Sequence, residues 1–187
     1  VPFLGSSLLR SILDSTDISN DEVDEVIFGN TGAPAKYANV SRVISLIAGL
    51  SQSVSASTVH RNCASGMEAL CQGHLKLLSG RCHVVFAGGV ENMSQMPLIY
   101  SKEMTDLFIK VNKAKSFSEK VKALSLVRPP HLSPIVAIEQ GLTDLICGLN
   151  MGQTAELLAR EHNISREDQD LFAHHSHQRA IQAQEEG

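Results

Sequence analysis

Cys63 is the residue of this 187-residue chain best placed to do chemistry. It lies in the stretch "TVHRNCASGMEALCQGHLKLLSGRCHVVFAGG" (Thr58 to Gly89), at the seam between a short β-branched run and an amphipathic helical pattern. A thiol at a helix N-terminus feels the positive end of the aligned peptide dipoles, which favours the nucleophilic thiolate. Ala64, Ser65 and Gly66 are small, so an acyl group could approach, and N–H groups of the first turn could hold an oxyanion. The same residues equally suit a buried apolar filler, because free cysteine is among the most buried residue types.

Other chemistries fit less well. His60 and Cys63 are three apart and Cys82-His83 are adjacent, but adjacent strand residues point to opposite faces, so no metal site is expected. A Cys63–Cys71 disulfide would span about 12 Å of helix, beyond bonding reach. His174, His175 and His177 share a helical stretch with the apolar face Phe172, Ala173, Ser176, Ala180 and Ala183, and read as surface polar residues. Gly88-Gly89 does not complete a G-x-G-x-x-G loop, which leaves dinucleotide binding unsupported.

The elements that would position Cys63 alternate in type. Val26 to Asn30 reads as a buried strand ended by a turn, after the acidic, helix-ending "NDEVDE". Asn39 to Leu50 carries Val40, Val43, Ile44 and Ile47 at helical spacing. Thr58 to Arg61 is a short strand, and Met67, Leu70, Cys71, His74, Leu75 and Leu78 form a second helical stripe closed by Gly80. Val84 to Ala87 is a third strand. Strand, helix, strand at this spacing is a βαβ crossover, so the fold class is α/β with parallel strands.

After Pro97 the pattern changes. Residues 101 to 128 hold seven Lys/Arg against three Asp/Glu, with Met104, Leu107, Phe108 and Val111 at helical spacing, ended by Pro129-Pro130 and Pro134. From Met151 the chain is helical again, with an S-x-x-D cap signal at Ser165. Two domains are expected, 1–97 as an α/β unit and 98–187 as a mostly helical one.

Composition bounds the partners. The chain is 43% hydrophobic and 19% charged, with net charge −4 and only 4% aromatic residues. Nothing in that balance favours nucleic acid, and base-stacking readers are disfavoured. Mean hydropathy is −0.02, and no run approaches a membrane span. Four cysteines without C-x-x-C spacing, in a chain of this size and with no signal peptide, point to a reducing compartment, cytoplasmic with mitochondrial as the alternative. The abrupt Val1-Pro2-Phe3 start and the helix running to Gly187 read as cut ends.

Five collinear stretches resemble one family. "NCASGMEAL" around Cys63 resembles the nucleophile motif of thiolases, acyl-CoA C-acyltransferases that form or cleave 3-ketoacyl-CoA, and "AGGVENMSQMP" (Ala87 to Pro97) resembles their second signature. "GLTD" (Gly141 to Asp144), with "NMGQTAELLA" and "ISREDQDLFAHHSHQRA", is similar to the loop domain that covers the CoA site.

The resemblance implies a thiolase fold: an N-terminal half-domain with βαβ units plus an incomplete helical loop domain, the C-terminal half being absent. It implies that Cys63 is acylated in a ping-pong cycle, with its own N–H in an oxyanion hole, that Met151 lines the thioester pocket, and that Leu142 contacts CoA. Coenzyme A and acyl-CoA would be substrates, with no further cofactor, and the intact protein a homodimer or homotetramer. The basic stretch 101–128 is similar to that of members acting in fatty-acid oxidation complexes, which implies a protein partner or a membrane-surface contact.

The chain also departs from the pattern. His60 stands where the family has Asn, with an Asn at 62 instead, and Asn150 stands where some members carry His. The stretch Phe3 to Leu13 is shorter than the family's. The family's activating histidine and acid/base cysteine match nothing here, so the chain alone is expected to be inactive. A decarboxylating ketoacyl synthase of the same fold, or a non-catalytic acyl-CoA or lipid binder, are the alternatives. Direction of reaction and acyl-chain length are left open.

Overall fold

The computed structural model describes residues 1–32 and 35–187, and the chain divides into two compact units, Val1–Pro97 and Leu98–Gly187. The first unit opens with helix α1 (Pro2–Asp14). Its proline occupies the first turn, where a missing N–H leaves no bond unmade. The acidic run does not end this helix, which stops at Asp14. Instead, Asn20–Glu22 forms a 3₁₀ turn closed by the Ser19 N–H donating to Glu22 Oε2 at 2.8 Å.

Strand β1 (Glu25–Gly29) follows and is buried throughout. Next come α2 (Val40–Ala48), β2 (Ser55–Val59), α3 (Ser65–Leu78) and β3 (Val85–Gly89). β2 begins and ends earlier than the β-branched run suggests, so His60 and Arg61 leave the strand. The three strands form a parallel sheet in the order β2-β1-β3, with Gly29 opposite both Val59 and Gly89. Parallel pairing requires crossovers, and α2 and α3 supply them. The α/β reading of the sequence is therefore correct.

Alternation along β1 sorts the two faces. Val26 and Phe28 join Leu9, Leu13, Val40, Ile44 and Ala48 in the core beneath α1 and α2. Glu25 and Gly29 face α3 on the other side, where Lys76 and Ser65 meet them. Asn39 caps α2 by accepting the Arg42 N–H at 3.1 Å, and Gly49 ends it at φ +91°.

α3 presents the opposite face to the one its apolar stripe suggests. Its contact with the sheet is made by Ser65, Ala69 and Gly73, small residues that let helix and sheet approach closely. A Cβ on Gly73 would lie 3.1 Å from that of Ala87. The stripe of Met67, Leu70, Cys71, His74, Leu75 and Leu78 points outward and is exposed, Met67 by 65%.

The second unit contains β4 (Leu98–Ile99), α4 (Lys102–Lys113), α5 (Phe117–Leu124), β5 (Ile135–Val136), α6 (Ala137–Gly141), α7 (Met151–Glu161) and α8 (Arg166–Glu186). β4 and β5 pair antiparallel. α4 buries Met104 and Leu107. α5 ends at Leu124, before the prolines, which form a 3₁₀ turn at Pro129–Leu132. Ser165 caps α8 as its spacing predicts, accepting the Asp168 N–H at 3.0 Å. α8 buries none of its residues, so Phe172 and Ala173 are as exposed as His174, His175 and His177. No described helix is long and apolar enough to cross a membrane.

Candidate active site

Cys63 occupies the turn from β2 into α3, at the carboxyl edge of the parallel sheet, the edge at which open α/β sheets bind ligands. It is exposed. The helix starts at Ser65, so the thiol sits two residues ahead of the first helical residue rather than within the first turn. Asn62 adopts φ +47°, a left-handed conformation that asparagine tolerates better than most residues. This kink turns the chain sharply just before the thiol.

Short bonds close the turn. The Ala64 N–H donates to Arg61 O at 3.0 Å, the Ser65 N–H to Asn62 O at 3.1 Å, and the Glu68 N–H to Ala64 O at 2.9 Å. The Cys63 N–H enters none of these three bonds. Cys63 also forms an isolated backbone bridge with Arg61, and its thiol sits on an exposed kink, where a carbonyl can reach it.

Backbone packing places the turn. A Cβ on Gly29 would lie 2.3 Å from the carbonyl carbon of Ser65 and 2.6 Å from the Gly66 nitrogen. One on Gly89 would lie 3.3 Å from the Gly66 Cα. The ends of β1 and β3 therefore meet the start of α3 backbone to backbone, which only glycine at 29 permits. Gly89, the second glycine of "AGG", allows the close approach of Gly66 that a larger residue would crowd. At the other end of α3, Lys76 Nζ lies 2.6 Å from both carboxylate oxygens of Glu25, a nearly buried acid at the start of β1. The helix is thus tied to the central strand at both ends.

A second polar cluster fastens the neighbouring loop. Glu91 Oε2 accepts from the Thr31 N–H at 2.8 Å, the Thr31 hydroxyl at 2.6 Å and the Gly32 N–H at 3.2 Å. Its Oε1 accepts from the Asn30 amide at 3.0 Å and the Asn92 N–H at 3.3 Å. Burial, the largest single influence, pushes the Glu91 carboxyl up, but the hydrogen bonds from Thr31, Asn92 and Gly32 together hold it below the ordinary range. The cluster joins the loops that follow β1 and β3. Sequence reasoning passed over Glu91 and Asn30. Their only signal is a lone acid in the second signature and an asparagine at a strand end.

Around the thiol, the Gln72 amide and then the Arg61 guanidinium hold Glu68 below the usual carboxylate range. His60 is exposed, and its Nδ1 accepts the Asn62 N–H at 3.5 Å. Among the described residues no three His, Cys, Asp or Glu side chains converge as a metal site. All four cysteines are free thiols. Cys82 is buried 3.9 Å from Glu25 Oε2, and burial first, then the Glu25 charge, pushes its thiol up.

Leu142 and Met151 belong to the second unit. An isolated antiparallel bridge pairs Thr143 with Asn150, which sets these two residues next to the same pinch in the chain. Both are exposed. Asn150 caps α7 in a reciprocal pair with Gln153, each side chain accepting the other's N–H at 2.9 Å. A histidine there would forgo that cap.

The family model for the thiolase N-terminal domain matches residues 1–187. The chain is 34% identical over 184 residues to a 3-ketoacyl-CoA thiolase of Pseudoalteromonas translucida, 33% to one of Photorhabdus laumondii and 34% to one of Klebsiella pneumoniae. In each case the match covers 98% of this chain and 42% of the relative, so the chain spans less than half the length of these relatives. With its exposed cysteine on a glycine-cradled turn, the chain belongs to the thiolase family and corresponds to that family's N-terminal domain.

Proposed function

We propose that the protein containing this chain is an acyl-CoA C-acyltransferase acting on 3-ketoacyl-CoA, with Cys63 as the acyl-accepting nucleophile. The observation that carries the reading is the turn itself: an exposed thiol behind a left-handed Asn62, at the carboxyl edge of the sheet. In the acylation step the Cys63 sulfur bonds to the acyl carbon, and the bond from that carbon to its leaving group breaks. With acetyl-CoA the leaving group is the CoA thiolate, which takes up the proton that Cys63 gives up. With a 3-ketoacyl-CoA the carbon–carbon bond breaks and acetyl-CoA leaves, carrying that proton on carbon. A CoA thiol then attacks the acyl-cysteine and regenerates the free thiol. On this reading the Cys63 N–H serves the oxyanion.

The groups that move those protons come, on this reading, from outside these residues. No described hydrogen bond joins a histidine or second cysteine to the Cys63 sulfur. The exposed apolar face of α3 supports the same reading, because a patch of that kind marks a surface meant to be covered. The length of the relatives leaves room for a second half-domain that would cover it. Leu142 and Met151, exposed beside the Thr143–Asn150 bridge, suit contacts to the pantetheine arm and the thioester. CoA esters enter as substrates, without a further cofactor. A homodimer or homotetramer, and a fatty-acid-oxidation partner or membrane-surface contact through the basic stretch 101–128, belong to the same proposal.

The test is thiolysis of acetoacetyl-CoA by the intact protein and by its Cys63→Ala variant. The reading predicts turnover that disappears with the thiol. Activity surviving the substitution would overturn it.

A further inference from the structure

We propose that Ser65 is a positioning residue for Cys63, an inference that rests on the reading of Cys63 as the nucleophile. Ser65 is 5% exposed, while Arg61, Asn62, Cys63 and Ala64 ahead of it are all exposed. Its hydroxyl is used twice. Oγ accepts the Arg61 N–H at 2.8 Å and donates to the Asn62 carbonyl at 2.7 Å.

A serine at a helix start ordinarily caps forward, accepting an N–H one turn into the helix. Here Ser65 is the first helical residue, and its hydroxyl reaches back to the two residues before the thiol. The two residues ahead of Cys63 are thereby tied to one buried side chain, whose own backbone lies close against Gly29. The other side-chain restraints on this turn are the Asn62 N–H to His60 Nδ1 bond, long at 3.5 Å, and the Arg61–Glu68 ion pair, in which Arg61 is 70% exposed. Exposed pairs of that kind hold geometry weakly. The left-handed Asn62 needs a restraint, because that conformation is uncommon even for asparagine. The Ser65 hydroxyl supplies it, and so fixes where the thiol and its N–H point.

The experiment compares the intact parent with Ser65→Ala, Ser65→Thr and Asn62→Gly. Acylation by labelled acetyl-CoA is followed by peptide mapping, and alkylation by iodoacetamide is measured at each thiol. Exposed Cys147 reports on the reagent, and buried Cys82 reports on the integrity of the fold. For Ser65→Ala, acylation of Cys63 is expected to fall about 10²-fold, the penalty of a misplacement near 1 Å. Cys82 should stay protected and Cys147 should react as before. Ser65→Thr, which keeps the hydroxyl, should recover most of the rate.

Cys63 acylated at the parental rate in a folded Ser65→Ala overturns the positioning role alone. Label on another cysteine in the parent overturns the nucleophile reading, and the proposal with it. If Ser65→Ala opens Cys82, Asn62→Gly carries the test by loosening the same turn while keeping the hydroxyl. Both Ser65 Oγ bonds go to backbone atoms that this variant keeps, so Cys63 acylation near the parental rate with Cys82 protected supports the proposal, and a markedly slower rate overturns it.

Discussion

Gly29→Ala is the sharpest probe of how the fold presents its cysteine. The added methyl would sit 2.3 Å from the Ser65 carbonyl carbon, 2.4 Å from its oxygen and 2.6 Å from the Gly66 nitrogen. Carbon atoms in contact need about 3.5–4.0 Å, so one side must retreat by more than about 1 Å. Every obstructing atom is backbone, and no rotamer change relieves the clash. Overpacking of this kind costs about 1–3 kcal/mol, and a fixed backbone places Gly29 at the upper end. The intrinsic gain of alanine over glycine in a strand, about 0.5–1 kcal/mol, leaves a net loss near 2 kcal/mol. Guanidinium unfolding followed by circular dichroism reads that loss. Because the retreat moves the start of α3, the turn before it moves too, and acylation of Cys63 should fall by about 10²-fold. Gly141→Ala is the control, since nothing lies within 4 Å of its added methyl; it should change stability by less than about 0.5 kcal/mol. A Gly29→Ala protein with parental stability and parental acylation would refute the backbone-contact argument.

Further outcomes are expected at four positions. Lys76→Met leaves the nearly buried Glu25 without its cation and should cost about 3–5 kcal/mol in chemical denaturation. Glu91→Ala strips five donors of their acceptor, and a loss of about 1.5–3 kcal/mol is expected. The same carboxyl is held below its ordinary value of 4.5 in the fold. Its contribution is therefore complete above about pH 4.5 and disappears as pH falls through the lower folded value. Glu91→Gln should flatten that limb of the stability profile, and an unchanged acid limb would count against the cluster. Leu9→Ala should cost about 2–5 kcal/mol because Leu9 is buried in the core. Leu145→Asp, at a position 96% exposed, should leave the unfolding midpoint in place.

The sequence shows where the elements lie better than it shows which way they face. The periodicity of Met67, Leu70, Leu75 and Leu78 correctly marks one side of α3, but the side packed on the sheet carries Ser65, Ala69 and Gly73. Hydrophobicity alone favours the stripe. The spacing of small residues four apart is the quieter signal that a helix lies close on a sheet. Cys63 is legible because its neighbours form a family motif, and the Asn62 kink is consistent with asparagine's tolerance of positive φ. Ser65 is not legible because its hydroxyl turns back to Arg61 and Asn62 instead of capping forward, and Glu91 is not because its partners Asn30, Thr31 and Gly32 reach it only through the pairing of β1 with β3. The twin contacts of Gly29 with α3 arise the same way, from residues some 36 positions apart in the chain. The first helix is signalled by Pro2 in its opening turn and by Leu9 and Leu13 four apart.

The most direct test of the account is where the acyl group goes. The intact protein incubated with labelled acetyl-CoA, quenched and digested, should carry its label on the peptide containing Asn62-Cys63-Ala64, and the Cys63→Ala protein should carry none. Label found on Cys71, Cys82 or Cys147, or retained after Cys63→Ala, would contradict the assignment of Cys63 as nucleophile.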